Sequence, residues 1–211
     1  MVVAGLLPVM GSLTSVELMG NRLGDEGWGA IFAAICGNKD SKIMSLNAAS
    51  ENIGPAGVKL IAEALRTSVT GALTVTNLLG NGLDAESAKM LAEVAKHKGI
   101  SLCGIQRDQT TADFSNKNLK PPDAILLVSD LSQASATGAL TVTNLLCNEL
   151  NAESAKMLAE VAKQKGVSLC GIQRDKTTAD FFLQGLKPPD AILLASDLSQ
   201  AGVTGGLTRI E

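Results

Sequence analysis

The chain has 211 residues, of which 45% are apolar but only 2% aromatic, with no Tyr and one Trp. A core of Leu, Ile, Val and Ala without large rings suits many thin, similar layers better than one thick globular centre. The net charge is −3 and Lys and Arg are not clustered, which excludes the basic face that phosphate binding needs, so nucleic acid is not expected as a partner.

An apolar stretch at residues 2–10 is interrupted by Gly5 and Pro8 and carries no basic leader. Such a stretch fits neither a signal peptide nor a membrane-spanning helix, so neither secretion nor membrane insertion is expected. We interpret it as the tail of an incomplete first repeat.

A sequence motif begins at residue 13 and follows the pattern L-x-x-L-x-L-x-x-N-x-L as far as Leu23. The same pattern returns at residues 73–83 and 140–150, where Thr76 and Thr143 replace the second Leu. Recurrence of one pattern along the chain indicates a repeat architecture.

The remaining copies of the motif are degenerate. One runs over residues 43–53, with Ala48 at the third apolar position and Glu51 at the Asn position. Two more begin near Gln109 and Lys176, and a last start falls near residue 207. Neighbouring starts are therefore about 30 to 36 residues apart, which is a period typical of stacked structural repeats.

A longer duplication is superimposed on this period. A shift of 67 residues aligns residues 72–134 with residues 139–201, and 52 of these 63 positions are identical. We interpret residues 1–211 as a single solenoid with about six repeats and a partial seventh.

The second half of each repeat carries a helical pattern, with apolar residues four positions apart. Helix starts are marked by Pro55, Pro121 and Pro188, because Pro at the first helical position lacks only an N–H that would be unpaired there anyway. Asp84 and Asn151 are expected to be the N-caps of two further helices.

A short strand followed by a helix that returns the chain to a parallel strand predicts an α/β fold. The expected architecture is a right-handed solenoid of horseshoe shape, with a parallel β-sheet on the concave side and helices on the convex side. Asn21, Asn81 and Asn148 are expected to be buried and to hydrogen-bond the turning backbone of neighbouring coils.

With this pattern the chain resembles the ribonuclease-inhibitor-like leucine-rich-repeat family. The segment at residues 186–198, LKPPDAILLASDL, resembles repeats in large arrays of single-celled algae and protists. The resemblance implies protein binding on the concave surface or on the loops beside it, and it implies no shared ligand.

Groups for catalysis are scarce in the sequence. His97 is the single histidine, and its counterpart in the duplicated copy is Gln164, so we interpret His97 as an exposed residue at a helix end. No catalytic residue, metal site or cofactor is expected, and the protein is not predicted to be an enzyme.

The four cysteines are Cys36, Cys103, Cys147 and Cys170. Cys103 and Cys170 occupy equivalent positions two coils apart, a separation of roughly 10 Å that no disulfide can span. We expect them to be small, buried, apolar fillers and expect all four thiols to be free. Reduced thiols favour an intracellular location, with the cytoplasm as the first expectation and an organelle left open.

Strand alternation predicts which side chains point outward to the concave face. The fifth motif position forms an acidic and amide column without a positive charge, namely Glu17, Asn47, Asn77, Asp113, Asn144, Asp180 and Glu211, and the first six are the expected protein contacts. The seventh position forms a mostly apolar column, in which Met19, Leu79, Leu146 and Phe182 are the expected protein contacts. The alternative is that the seventh-position residues only pack on one another at the strand ends.

The leading functional prediction is a non-catalytic scaffold that binds a protein partner having a basic rim and an aliphatic ridge. Two alternatives remain open: an inhibitor that caps one enzyme, and a structural subunit of a larger assembly. Because both ends of the predicted solenoid leave an apolar edge open, at least one end is expected to dock on another polypeptide or to continue into a longer array.

Overall fold

The computed structural model describes residues 12–18 and 20–211. The predicted repeat tail at residues 2–10 and the predicted contact Met19 lie outside the described residues. The chain divides into two compact units, Met1–Gln106 and Arg107–Glu211. The single solenoid over residues 1–211 stays a prediction.

Among its described residues, the first unit alternates three strands with three helices. Its strands form one parallel sheet in sequence order, with Ser15, Ser45 and Val75 in register. Its elements are β1 (Ser15–Glu17), α1 (Gly24–Cys36), β2 (Ser45–Asn47), α2 (Pro55–Arg66), β3 (Val75–Asn77) and α3 (Ala85–Lys98).

The second unit continues the alternation but divides its strands between two parallel pairs, β4 with β5 and β6 with β7. Its elements are β4 (Thr111–Asp113), α4 (Pro121–Ser132), α5 (Ala134–Thr137), β5 (Val142–Asn144), α6 (Ala152–Lys165), β6 (Thr178–Ala179), α7 (Pro188–Leu198), α8 (Ala201–Thr204) and β7 (Arg209–Ile210). Each strand begins two residues after a predicted repeat start, so all the predicted strands are confirmed.

Helix starts follow the local chemistry of the sequence. α2, α4 and α7 begin at Pro55, Pro121 and Pro188, as predicted. The Asp84 side chain accepts a hydrogen bond from the Ser87 N–H at 2.7 Å at the start of α3, and Asn151 does the same at the start of α6. Both predicted N-caps are therefore confirmed.

Two of the three motif asparagines join neighbouring coils. Asn81 Oδ1 accepts hydrogen bonds from the N–H groups of Glu51 and Ile53, both at 3.0 Å, while its Nδ2 donates to Ala48 O at 2.9 Å and Leu78 O at 2.8 Å. Asn148 makes the equivalent hydrogen bonds in the second unit. These bonds satisfy buried backbone groups that no regular ladder could pair.

The first two repeats differ from those of Asn81 and Asn148 at the Asn position of the motif. Asn21 is exposed, contrary to the prediction, because no coil precedes it among the described residues; its Nδ2 donates to Leu18 O at 2.7 Å within its own turn. Glu51 replaces Asn in the next repeat, and its carboxylate accepts hydrogen bonds from Gly20 N and from the buried Trp28 Nε1.

The connectors that lengthen two repeats explain why the described strands form three small sheets rather than one. Alternate backbone groups of β3 bond to β2, while Thr76 N donates to Ser101 O at 2.8 Å and Thr76 O accepts from Gly104 N at 3.0 Å. Residues 101–104 thus occupy the second edge of β3, and residues 168–171 do the same at β5. The predicted alternation of short parallel strands and helices is confirmed, and its assignment as a leucine-rich-repeat horseshoe stays a prediction.

Candidate functional site

The fifth motif position is the last residue of β1 to β5 and directly follows β6, and its side chain points outward, as predicted. Glu17, Asp113 and Asp180 are exposed, and Asn47, Asn77 and Asn144 are half-buried. Except at Glu17, the side-chain Oδ1 also accepts a hydrogen bond from the N–H two residues further on, at 2.8 to 3.2 Å. These Asx turns fix the side chains, a role that the alternation pattern alone did not reveal.

The seventh position departs from the prediction. Leu79 and Leu146 are only 3% and 1% exposed, so their assignment as exposed protein contacts is wrong. β3 and β5 each end at the fifth position in an Asx turn, and strand alternation therefore does not extend to the seventh position. Phe182, in contrast, is 70% exposed, as predicted.

A buried carboxylate in the second unit holds one of the connectors. Asp197 accepts hydrogen bonds from Ser168 Oγ at 2.7 Å and from the N–H groups of Leu169 and Cys170, both at 2.9 Å. Burial raises the pKa of Asp197, and these hydrogen bonds partly oppose the increase. The residue supports the fold and was not found by sequence reasoning, because nothing local distinguishes it from a surface helix residue.

Three of the four thiols have raised pKa values. The four cysteines all lie in the described part of the chain and form no disulfide bond, as predicted, and Cys103 and Cys170 are buried as predicted. Burial, together with the neighbouring Asp197, strongly raises the pKa of Cys170, and burial also raises the pKa values of Cys36 and Cys147. A protonated thiol is a poor nucleophile and a poor metal ligand.

The remaining candidates for chemistry are also dispersed. His97 is exposed in the last turn of α3, in agreement with its interpretation as a helix-end residue. Within the described part of the chain, His, Cys, Asp and Glu do not form a group that could hold a metal ion. Among the same residues, the helices are too short or too polar to cross a membrane.

No family model matches the chain. The chain is 30% identical over 165 residues to the human NACHT, LRR and PYD domains-containing protein 13, and the match covers 77% of this chain but only 14% of that protein. It also resembles the tropomodulin C-terminal domain from Caenorhabditis elegans, at 14% identity and a TM-score of 0.40, over 92% of this chain and 87% of that one. The chain is therefore similar, over most of its length, to a small part of a protein that contains leucine-rich repeats.

Proposed function

We propose that this chain is a non-catalytic protein-interaction scaffold that binds its partner through the outward side chains at the strand ends. The observation that carries the proposal is the column of carboxylates and amides at the fifth position. In both units these side chains are exposed or half-buried, and all but Glu17 are held by Asx turns, so little side-chain entropy is lost when a partner binds.

The partner surface that fits this column is basic. Asp113 and Asp180 are exposed carboxylates, and their Oδ1 atoms are engaged in the Asx turns while Oδ2 is not used by those hydrogen bonds. A Lys or Arg of the partner would find a fixed carboxylate there, with Phe182 beside Asp180 as an apolar contact. Membership of the ribonuclease-inhibitor-like class, a concave position for this face and an intracellular, cytoplasmic location belong to the same proposal.

The test removes charge without disturbing the turns. Asp113→Asn and Asp180→Asn retain the Oδ1 acceptor, and Asn already occupies this position in β2, β3 and β5. The matched control, Glu93→Gln with Glu160→Gln, removes two carboxylates from exposed positions on α3 and α6. Tagged wild-type and variant proteins would be used to capture partners from native extract, followed by quantitative mass spectrometry.

We expect the strand-end pair to lower capture of the specific partners about two- to thirtyfold, with an unchanged melting temperature, because each of the two exposed ion pairs contributes about 0.2–1 kcal/mol. The helix pair should leave capture unchanged. Equal loss in both pairs, or loss in the helix pair alone, would contradict the proposed face.

A further inference from the structure

A cleft of about 350 Å³ lies within the second unit, between the connector after α6 and the strand β6. One wall is formed by Cys170, Gly171 and Ile172, and the other by Thr178, Asp180 and their neighbours on β6. This volume is within the range of sites that bind small molecules or parts of peptides.

The β6 wall of the cleft is an open strand edge. Thr177 O accepts from Arg209 N at 3.2 Å, and Ala179 O accepts from Glu211 N at 3.0 Å, so the odd-numbered backbone groups pair with β7. In a parallel ladder the intervening residue points the opposite way, and the N–H and C=O of Thr178 therefore face away from β7. That edge of β6 pairs with no strand in the described residues.

Residues 170–172 of the opposite wall cannot donate hydrogen bonds to this edge, because their N–H groups are already engaged. Cys170 N donates to Asp197, Gly171 N to Thr143 O and Ile172 N to Ser168 Oγ, each at 2.9 Å. A donor from an additional backbone is therefore needed to pair with the C=O of Thr178. Unpaired strand edges are the sites at which extended peptides bind by adding a strand.

The loop that follows β6 has an unusual composition. Residues 182–185 read FLQG where the first copy has SNKN at residues 115–118, the longest run of differences between the two copies. Leu183 is 86% exposed at φ 52°, a left-handed conformation that suits its counterpart Asn116, at φ 55°, far better. Asn116 is exposed even though a further coil, with β5, follows it, so neither core packing nor backbone preference accounts for an apolar side chain here.

We infer that the cleft and this loop together bind an extended peptide segment that carries aliphatic side chains. The peptide backbone adds a strand to the open edge at Thr178, and an aliphatic side chain contacts Phe182 and Leu183. The inference rests on the proposed function, because it names the kind of partner segment that the second unit accepts.

Fluorescence anisotropy with synthetic peptides tests both parts of the inference on the full chain. The probe is a fluorescein-labelled peptide of alternating Leu and Thr; a second peptide has Ala in place of Leu. Two further versions are N-methylated on the Leu amides or on the Thr amides, which removes the donors along one or the other edge. The protein variant is Phe182→Ser with Leu183→Asn, which installs the residues of the first copy.

We expect the Leu peptide to bind at least tenfold more tightly than the Ala peptide, and one of the two methylated versions to lose at least tenfold in affinity. The protein variant should bind the Leu and Ala peptides equally and should melt no lower than the wild type. Absence of Leu-peptide binding, equal binding of both methylated versions, or an unchanged Leu preference in the variant would overturn the inference. If peptide binding fails while the Asp113 and Asp180 variants still lose partner capture, the proposed function stands without this cleft.

Discussion

Two pairs of equivalent positions in the duplicated copies show what local rules explain. At the start of α3 and α6, Asp84 and Asn151 differ in charge but form the same N-cap, with φ −94° and −99°. At the loops after β4 and β6, Asn116 and Leu183 share the same left-handed backbone, but only Asn suits it. The first difference leaves the cap geometry unchanged, whereas the second places a disfavoured residue on that backbone and therefore calls for a reason outside the fold.

The largest effect on stability is expected at Asp197, a position where the two copies have the same residue. Asp197→Ala should lower the free energy of unfolding by about 2–4 kcal/mol, because two buried N–H groups and the Ser168 hydroxyl lose their acceptor. Urea denaturation would measure it, with the exposed Glu160→Ala as the control. A loss below about 1 kcal/mol would show that the connector rearranges to satisfy these groups.

Thr143 and its counterpart Thr76 are the same residue in the two copies. A substitution at Thr143 tests whether such an identical residue always contributes to stability. The Thr143 Oγ1 is buried and has no hydrogen-bond partner among the described residues, and Thr76 is in the same situation. Thr143→Val replaces the hydroxyl with a methyl group of similar size and should stabilise the protein by about 1–2 kcal/mol in urea denaturation. Destabilisation would mean that the hydroxyl has a partner after all.

A reciprocal exchange at the loops sharpens the comparison directly. Leu183→Asn should raise stability by about 1 kcal/mol, and Asn116→Leu should lower it by a similar amount, because Leu is disfavoured at positive φ. Thermal unfolding of both variants would measure the pair. Changes of the same sign in both would show that the two loops do not share one backbone preference.

The smallest effect is expected for the pH dependence of stability, because burial and hydrogen bonding shift the pKa of Asp197 in opposite directions. Its pKa is raised above the usual 3.8, so the native state binds the proton more tightly than the unfolded chain, and the associated stability is lost as pH rises through the folded pKa. The stability advantage of wild type over Asp197→Asn should therefore decrease from pH 3 to pH 7. An advantage that grows with pH would show that the ionised carboxylate is the stabilised form.

Asp84 provides a control of opposite sign. The Ser87 N–H lowers the pKa of Asp84, so the stability that this group contributes is present above its usual pKa of 3.8 and is lost as pH falls through the folded pKa. Asp84→Asn should accordingly lose its disadvantage toward pH 3. Parallel slopes for the two variants would point to a general effect of net charge instead.

Features encoded by local chemistry were predictable from the sequence. The strands, the Pro-led helix starts and the N-caps all depend on residues within one turn of the element concerned. The outward direction of the fifth-position side chains was also predictable, because it depends only on alternation within a strand.

Features that depend on residues far apart in sequence were not predictable in the same way. Leu79 and Leu146 are buried because each strand stops in an Asx turn, which alternation does not anticipate. The connectors pair with strand edges at which the repeat pattern predicted the next strand. Asp197 is buried because it bonds to a segment 27 to 29 residues away in sequence.

The hydrogen bonds of Asn81 make folding of neighbouring coils interdependent. The Asn81 side chain belongs to one coil. The two N–H groups that donate hydrogen bonds to its Oδ1, those of Glu51 and Ile53, belong to the preceding coil. Those two N–H groups should exchange with solvent deuterium only as fast as the following coil opens, although they precede it in sequence. During synthesis from the N-terminus, each coil with this contact would stay frayed until the ribosome has released the next one, which sets a lag of one repeat between translation and folding.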